Sequence, residues 1–239
     1  VTERMAQLSR ETLVKASELV FNYNEESYNE VCELEDKVDQ YEDKLGTYLV
    51  KLSNHYLNHR DSQILSVLLH SIGDFERISD HAVNIAHSAK EMYDKELSFS
   101  DKAMEELTVF RKAVEDIMSS TVEVFTENDL EKAKKIEPLE EAIDYINGEI
   151  KKRHIKRLRK GKCTIELGFV LSDITTSFER ISDHCSNIAV CILQIHENVF
   201  DTHEYMDVVK AKDNVAFAQE VKQYQLLYAL PGKKSETEE

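Results

Sequence analysis

Phe75-Glu76-Arg77-Ile78-Ser79-Asp80-His81 occurs twice in this chain, the second time as Phe178-Glu179-Arg180-Ile181-Ser182-Asp183-His184. Both copies are followed, after two residues, by Asn-Ile-Ala at 84–86 and 187–189. Self-similarity at a fixed offset is typical of a duplicated supersecondary unit. The offset from residue 75 to residue 178 is 103 residues, which is too long for a short solenoid repeat. The sequence therefore predicts two structural halves.

The repeated stretch has the pattern of a helix with two opposed faces. At about 100° per residue, Glu76 and Asp80 lie about 40° apart, and so do Glu179 and Asp183. The apolar residues of the first copy fall roughly 180° to 280° from Glu76. Each copy is therefore predicted to bury one face and to hold two carboxylates, one turn apart, near the opposite side.

These carboxylate pairs have two interpretations. Like charges four residues apart destabilise a helix by a few tenths of a kcal/mol, and a bound cation would compensate for the repulsion. The alternative is a solvated acidic face, which is common in an acidic protein. The recurrence of the pair in both halves favours the cation.

A second, less obvious repeat strengthens that interpretation. Leu34-Glu35-Asp36-Lys37-Val38-Asp39 aligns with Leu139-Glu140-Glu141-Ala142-Ile143-Asp144, and each copy again contains Glu-x-x-x-Asp. If the helices that carry these motifs pack antiparallel in each half, two Glu and two Asp come together. That number of oxygen ligands is enough for one or more cations.

Composition predicts an all-α fold. The 239 residues include six Gly, two Pro and no Trp, and 32% are charged. So few helix breakers, with 3/4 spacing of apolar residues, indicate two tandem three-helix bundles and a C-terminal helix. We expect the first bundle at 1–97, the second at 98–200, and the C-terminal helix with a disordered end at 201–239. Asn24 and Asn128 are predicted N-caps, and Pro138 a kink or a local restart.

Charge and motifs exclude several functions. The net charge of −16 argues against a nucleic-acid partner and favours cations or a basic docking surface. The four cysteines form no C-x-x-C and are expected to be reduced, with Cys185 in the core. No Gly-rich phosphate loop or H-E-x-x-H is present, and none of the nine histidines has a Glu three residues before it, as a ferritin-like di-iron site requires. We expect no enzyme.

Over residues 5–198 the sequence resembles the PhoU family, on the strength of the doubled F-E-R-I-S-D-H and N-I-A stretch with its acid pairs. The resemblance implies multinuclear transition-metal clusters, iron first and zinc as the alternative, and a role in phosphate signalling. The implied ligands are eight acids, four of them in the doubled stretch: Glu76, Asp80, Glu179, Asp183, Glu35, Asp39, Glu140 and Asp144. Further candidates are Asp36, Glu141, Asp173, His81 and His184. The competing hypothesis is a metal-free helical adaptor.

The resemblance also implies partners. These would be the membrane domain of a phosphate transporter or a phosphate-signalling protein, and a homodimer is a further expectation. The first residue is Val, and a helix is predicted after the sixth, as in the C-terminal cytosolic domain of a sodium/phosphate symporter family protein. That context would place the chain at the inner face of a membrane.

Other features have plainer interpretations. His81 and His184 lie nearer the core face than the acids, which favours packed, hydrogen-bonded side chains over ligands. Arg77 and Arg180 are expected to pair with neighbouring acids. His55-x-x-x-His59 has the spacing of a zinc pair but lacks an acid nearby. The basic run at 151–160 is interpreted as cations at a helix C-terminus, with contact to anionic lipid or a partner as the alternative.

Overall fold

A computed structural model describes residues 1–197 and 214–232, with the side chains of 195–197 left aside. Within these ranges the chain forms helices and no strand, which confirms the all-α prediction. In chain order the helices are α1 (Thr2–Leu19), α2 (Glu25–Ser53), α3 (His59–Asp94), α4 (Asp101–Glu127), α5 (Leu130–Ala133), α6 (Ile136–Arg159), α7 (Ile165–Glu197) and α8 (Val215–Leu227). None of these described helices is long and apolar enough to cross a membrane.

The long helices pack as two sets of three. Helices α1, α2 and α3 contact one another, and α4, α6 and α7 do the same, with the short α5 against all three. The sets meet along α3 and α7, and also along α1 and α4. Helix α8 packs on α6. The predicted domain boundary after residue 97 stays a prediction, and the one after residue 200 lies outside the described residues.

Side-chain caps fix where α2 and α3 begin. The Asn24 side chain accepts a hydrogen bond from the Ser27 backbone N–H at 2.8 Å, as predicted for the N-cap of α2. Asn58 does the same for Asp61 at 2.9 Å. The spacing of apolar residues predicts these helices at about 25–57 and about 62–94, whereas α2 ends at Ser53 and α3 begins at His59.

The N-cap predicted at Asn128 is wrong by one residue. Asn128 ends α4 in a left-handed conformation with φ 57°, and Asp129 caps α5 by accepting a hydrogen bond from Lys132 N at 3.0 Å. The sequence predicts one helix from this cap to about Arg159, but the structure divides it into α5 and α6. Pro138 is the third residue of α6, where its missing N–H leaves no helical hydrogen bond unmade.

The apolar face of the repeated stretch forms the centre of the core. Phe75, Ile78, Phe178 and Ile181 are all at most 1% exposed. The Phe75 ring meets Phe125 edge-on, with centroids 5.1 Å apart, and the equivalent Phe178 ring meets Phe110 at 5.2 Å. Both partner rings belong to α4. Cys185 is fully buried, as expected, with its Sγ 3.8 Å from Met118 Sδ of α4.

The segment around the end of α8 is held by two side-chain hydrogen bonds. The Tyr228 hydroxyl donates to Asp116 Oδ2 on α4 at 2.8 Å. Arg153 Nη1 on α6 donates to the Pro231 carbonyl at 2.6 Å. Of the C-terminal helix predicted from residue 201, the part before 214 lies outside the described residues, as does the tail from 233 that was expected to be disordered.

Candidate metal centre

The first acid cluster lies between α2 and α3, whose packing brings their acid pairs together. Glu35 and Asp39 of α2 face Glu76 and Asp80 of α3. Asp80 accepts a hydrogen bond from Glu35 or Glu76 when either carries a proton. The four first-half acids predicted to be ligands are therefore neighbours in the folded chain.

Proximity and partial burial raise the pKa of Glu35, Glu76 and Asp80. Burial, then the neighbouring Asp80 carboxylate, raises the pKa of Glu76 to about 7. The pKa of Glu35 is raised by the same two causes, and that of Asp80 is raised mainly by burial. Since each carboxylate charge is destabilised by the others, a cation between them would relieve several unfavourable interactions at once.

The first cluster also contains an acid that the motif did not include. Glu42 of α2 is half-buried and raises the pKa of Glu76 by its charge. It follows Asp39 by three residues, so extending the acid stripe by one helical turn would have found it. Asp36 is exposed on α2 and contributes charge beside Glu35.

The second acid cluster lies between α6 and α7. One carboxylate oxygen from each of Glu140, Asp144 and Asp183 lies within 4.8 Å of the other two. The same is true of Glu137, Glu140 and Glu141, which extend the cluster along α6. Glu140 and Glu137 are buried, whereas Asp144 is exposed, so the cluster opens to solvent at one end. Glu137, three residues before Glu140, is another acid that the motif did not include.

Glu179 belongs to this second cluster but has a cation beside it. Its charge raises the pKa of Asp183, after the larger effect of burial. Its own carboxylate lies 3.7 Å from Lys151 Nζ of α6. Arg180 pairs with Asp183 at 3.6 Å, as expected from the sequence. The charge of the second cluster is therefore already partly neutralised.

Two substitutions make the clusters unequal. At the offset of 105 residues that relates α2 to α6, Glu42 corresponds to Asn147 and Gly46 to Lys151. Asn147 is buried, and its Oδ1 has no hydrogen-bond partner in the described chain. At Gly46 an added Cβ would lie 3.7 Å from Glu42 Oε1, so no side chain approaches that acid from this position. Lys151 thus brings to the second cluster a positive charge that the first cluster lacks at the equivalent position.

The histidines of the repeated stretch lie between the halves. The His81 and His184 rings stack with centroids 5.7 Å apart and planes 21° apart. His184 Nδ1–H donates to Asp74 Oδ1 of α3 at 2.9 Å. Burial, then the charge of His184, lowers the pKa of His81 to about 4. Both rings are thus packed, as their position near the core face of each helix predicted, and they contribute to the contact of α3 with α7.

The remaining candidates lie apart from the clusters. Asp173 is exposed on α7, six residues before Glu179, and no described contact joins it to the second cluster. His55 lies in the connection after α2 whereas His59 begins α3, so they are not on one helical turn. In the basic run, Lys151 pairs with Glu179 as described, and Lys152 pairs with Glu149 at 3.1 Å.

The donor chemistry suits a hard cation. Both clusters consist of carboxylates, which bind iron, manganese, magnesium or calcium well. Zinc prefers nitrogen and sulfur donors, and the two groups of three in the second cluster bring together oxygen ligands only. These two groups share Glu140, so the second cluster has oxygens enough for more than one ion.

Comparison with known proteins gives a consistent result. A family model, the PhoU domain, matches residues 2–89 and 108–192. A phosphate-specific transport system accessory protein PhoU homolog from Thermotoga maritima is 24% identical over 194 residues, covering 80% of this chain and 82% of that protein. A homolog from Deinococcus radiodurans is 21% identical over 175 residues, covering 73% and 81%.

Solved structures share the fold. PhoU from Pseudomonas aeruginosa aligns with a TM-score of 0.78 at 18% identity, covering 83% of this chain and 94% of that one. The phosphate transport system regulatory protein PhoU from Streptococcus pneumoniae aligns with a TM-score of 0.74 at 20% identity, covering 84% and 93%. Because the family model matches most of the sequence in both halves, this chain belongs to the PhoU domain family.

Proposed function

We propose that this chain is a regulatory domain of phosphate transport that binds a multinuclear metal cluster in each half. The observation that carries the proposal is the meeting of acid pairs from two helices, α2 with α3 and α6 with α7, in both halves. Membership of the PhoU domain family supports phosphate transport as the process that is regulated, since the relatives described above are named as accessory proteins of a phosphate-specific transport system. The role is regulatory and not catalytic.

Eight acids would hold the metal. In the first half these are Glu35, Asp39, Glu76 and Asp80, and in the second half Glu140, Asp144, Glu179 and Asp183. Glu42 and Glu137 would add oxygens to the respective clusters. A cluster of transition-metal ions would neutralise these charges and join α2 to α3, or α6 to α7, across the surface of each bundle. Iron fits the carboxylate donors best, with zinc as the alternative.

The acidic surface supports docking on a phosphate transporter or a protein that signals phosphate status. A net charge of −16 attracts a basic partner surface over distances of about a Debye length, and bound metal would change that charge locally. Metal occupancy would therefore alter the surface that the partner meets. The proposal also includes attachment to the membrane domain of a sodium/phosphate symporter, and a homodimer.

Elemental analysis after purification without a chelator tests the metal clusters. Wild type should hold several equivalents of one transition metal. Glu76→Gln with Asp80→Asn should lose about half, because one of two clusters is disabled. The matched control is Glu123→Gln with Glu127→Gln, an exposed acid pair at the same spacing on α4, which should retain the full complement. Metal content near zero in wild type, even after reconstitution with iron or zinc, would leave the metal-free helical adaptor as the better description.

A further inference from the structure

We infer that a basic pocket, separate from both acid clusters, binds a short anion that carries two or more phosphate groups. The pocket lies between the start of α4 and the end of α6 and has a volume of about 420 Å³. Five basic side chains line it together with the carboxylate of Asp101: Lys102, Lys156, Arg157, Lys160 and Lys162. We refer to these five side chains and the space they enclose as the basic pocket.

The lysines of the basic pocket are not used in ion pairs. Nine lysines elsewhere in the described chain lie within 4.0 Å of a carboxylate oxygen. In those same ranges no carboxylate lies that close to Lys102, Lys156, Lys160 or Lys162. Four ammonium groups around one concavity, with Asp101 as the lining acid, repel one another. A bound anion would remove that repulsion.

Arg157 is held in place at the wall of the pocket. Its Nη1 lies 2.8 Å from Glu106, a residue whose side chain is 5% exposed, and Arg153 pairs with the same carboxylate at 3.2 Å. Two arginines therefore share one buried acid, which leaves net positive charge at this wall. A guanidinium fixed in this way is suited to phosphate oxygens.

Favourable interaction with the helix dipole of α6 does not explain all the basic residues of the pocket. Cations in the last turn of α6 are favourable, which explains Lys156 and Arg157 without any ligand. Lys102, however, lies in the first turn of α4, where the helix dipole disfavours a cation. Lys162 follows the end of α6 and belongs to neither helix. Positive charge from two separate segments, the start of α4 and the end of α6 with the turn that follows it, converges on one space, as expected for an anion site.

Size and charge restrict the ligand. A volume of about 420 Å³ exceeds the size of a single phosphate group. Four or five positive charges also favour a multiply charged anion. A long polyanion such as nucleic acid would extend onto the acidic remainder of the surface and be repelled. The ligand chemistry is thus a di- or triphosphate group, free or on a small molecule, or the phosphorylated headgroup of a lipid.

This inference goes beyond the proposed metal clusters and does not depend on them. None of the pocket residues belongs to an acid cluster, and metal-free protein should bind the anion equally well. Loss of metal from the acid variants and loss of anion from the pocket variants are therefore separate results.

Titration calorimetry with tripolyphosphate on metal-free protein at low ionic strength tests the inference. Wild type should show saturable binding, tighter than for inorganic phosphate or sulfate. Lys156→Gln with Lys160→Gln should raise Kd about tenfold or more, because two of the converging charges are removed. The control is Lys44→Gln with Lys51→Gln, two exposed lysines of α2 that remove the same charge outside the pocket. The control pair should change Kd less than about twofold.

Sedimentation with vesicles distinguishes the two sources of the ligand. Binding to neutral vesicles that contain a phosphorylated inositol lipid, with competition by tripolyphosphate, would identify the headgroup. Binding of free tripolyphosphate without vesicle binding would identify a soluble ligand. Either result supports the site. If neither tripolyphosphate nor the vesicles bind, the inferred site is refuted. It is also refuted if the α6 and α2 lysine substitutions weaken tripolyphosphate binding equally, because the anion would then be attracted by the whole surface and not by the basic pocket.

Discussion

Glu76 should destabilise the metal-free protein at neutral pH, so that Glu76→Gln stabilises it. In the folded chain the pKa of Glu76 is about 7, against an ordinary value of 4.5. The folded state therefore binds more protons than the unfolded state between these values. The free energy of unfolding must fall as pH rises from about 4.5 to about 7, and the loss is complete above pH 7.

The size of the effect follows from the same shift. The difference of about 2.5 between the folded and the ordinary pKa of Glu76 corresponds to about 3 kcal/mol if solvent does not screen the charges. Glu76 is only half-buried, so solvent screens its repulsion with the neighbouring carboxylates. We therefore expect its charge to destabilise the folded state by about 1–2 kcal/mol. Glu76→Gln removes the charge without changing the shape of the side chain. It should thus raise the free energy of unfolding by about 1–2 kcal/mol at pH 8 and by nearly nothing at pH 4.5.

Urea unfolding followed by far-ultraviolet circular dichroism, with a chelator present, measures this difference. The control is Glu33→Gln, an exposed residue in the middle of α2, which should change stability by less than about 0.5 kcal/mol at either pH. With saturating metal the order should reverse, since wild type gains binding energy that the variant lacks. A variant that is less stable than wild type at pH 8 without metal would refute the repulsion on which the first cluster depends.

Three further predictions concern other parts of the molecule. Lys151→Gln should raise the metal affinity of the second cluster about fivefold, because Glu179 loses its ion pair with Lys151. Equilibrium dialysis in the Glu76→Gln/Asp80→Asn background measures this affinity. An unchanged affinity would show that Lys151 does not compete with metal for Glu179. Asp74→Ala should cost about 1–3 kcal/mol in urea unfolding, because the N–H of His184, whose side chain is 12% exposed, loses its acceptor. Phe178→Ala should cost about 3–5 kcal/mol by the same measurement; a loss below about 1 kcal/mol would mean that the site repacks.

Sequence periodicity predicted the helices well because it reports the contact that each helix makes with the core. Phe75 and Ile78 fall on the predicted apolar face and are fully buried. Helix ends were less predictable, since they depend on which of two adjacent polar residues reaches a free N–H. Asn128 and Asp129 have similar capping preference, and only the left-handed conformation of Asn128 decides between them.

The candidate site was predictable in part for a related reason. The acid pairs repeat along one helix, so their shared face could be derived from spacing alone. The contribution of Lys151 to the second cluster could not, because it depends on the rotation of α6 against α7. The contact of His184 with Asp74 requires α3 and α7 to pack on each other across the two halves, and no local pattern encodes that arrangement.

The stacking of His81 on His184 has a consequence for the origin of the chain. These histidines occupy the same position in the two copies, so across α3 and α7 one motif position meets itself. Self-contact of this kind defines an isologous interface, the type found in symmetric homodimers. The chain is thus built like a homodimer joined into one polypeptide. Covalent joining allows each copy to diverge: Asp74 corresponds to Ser177, and Glu42 to Asn147. A symmetric ancestor could carry only two equal clusters, whereas the fused chain can give each half its own affinity and its own task.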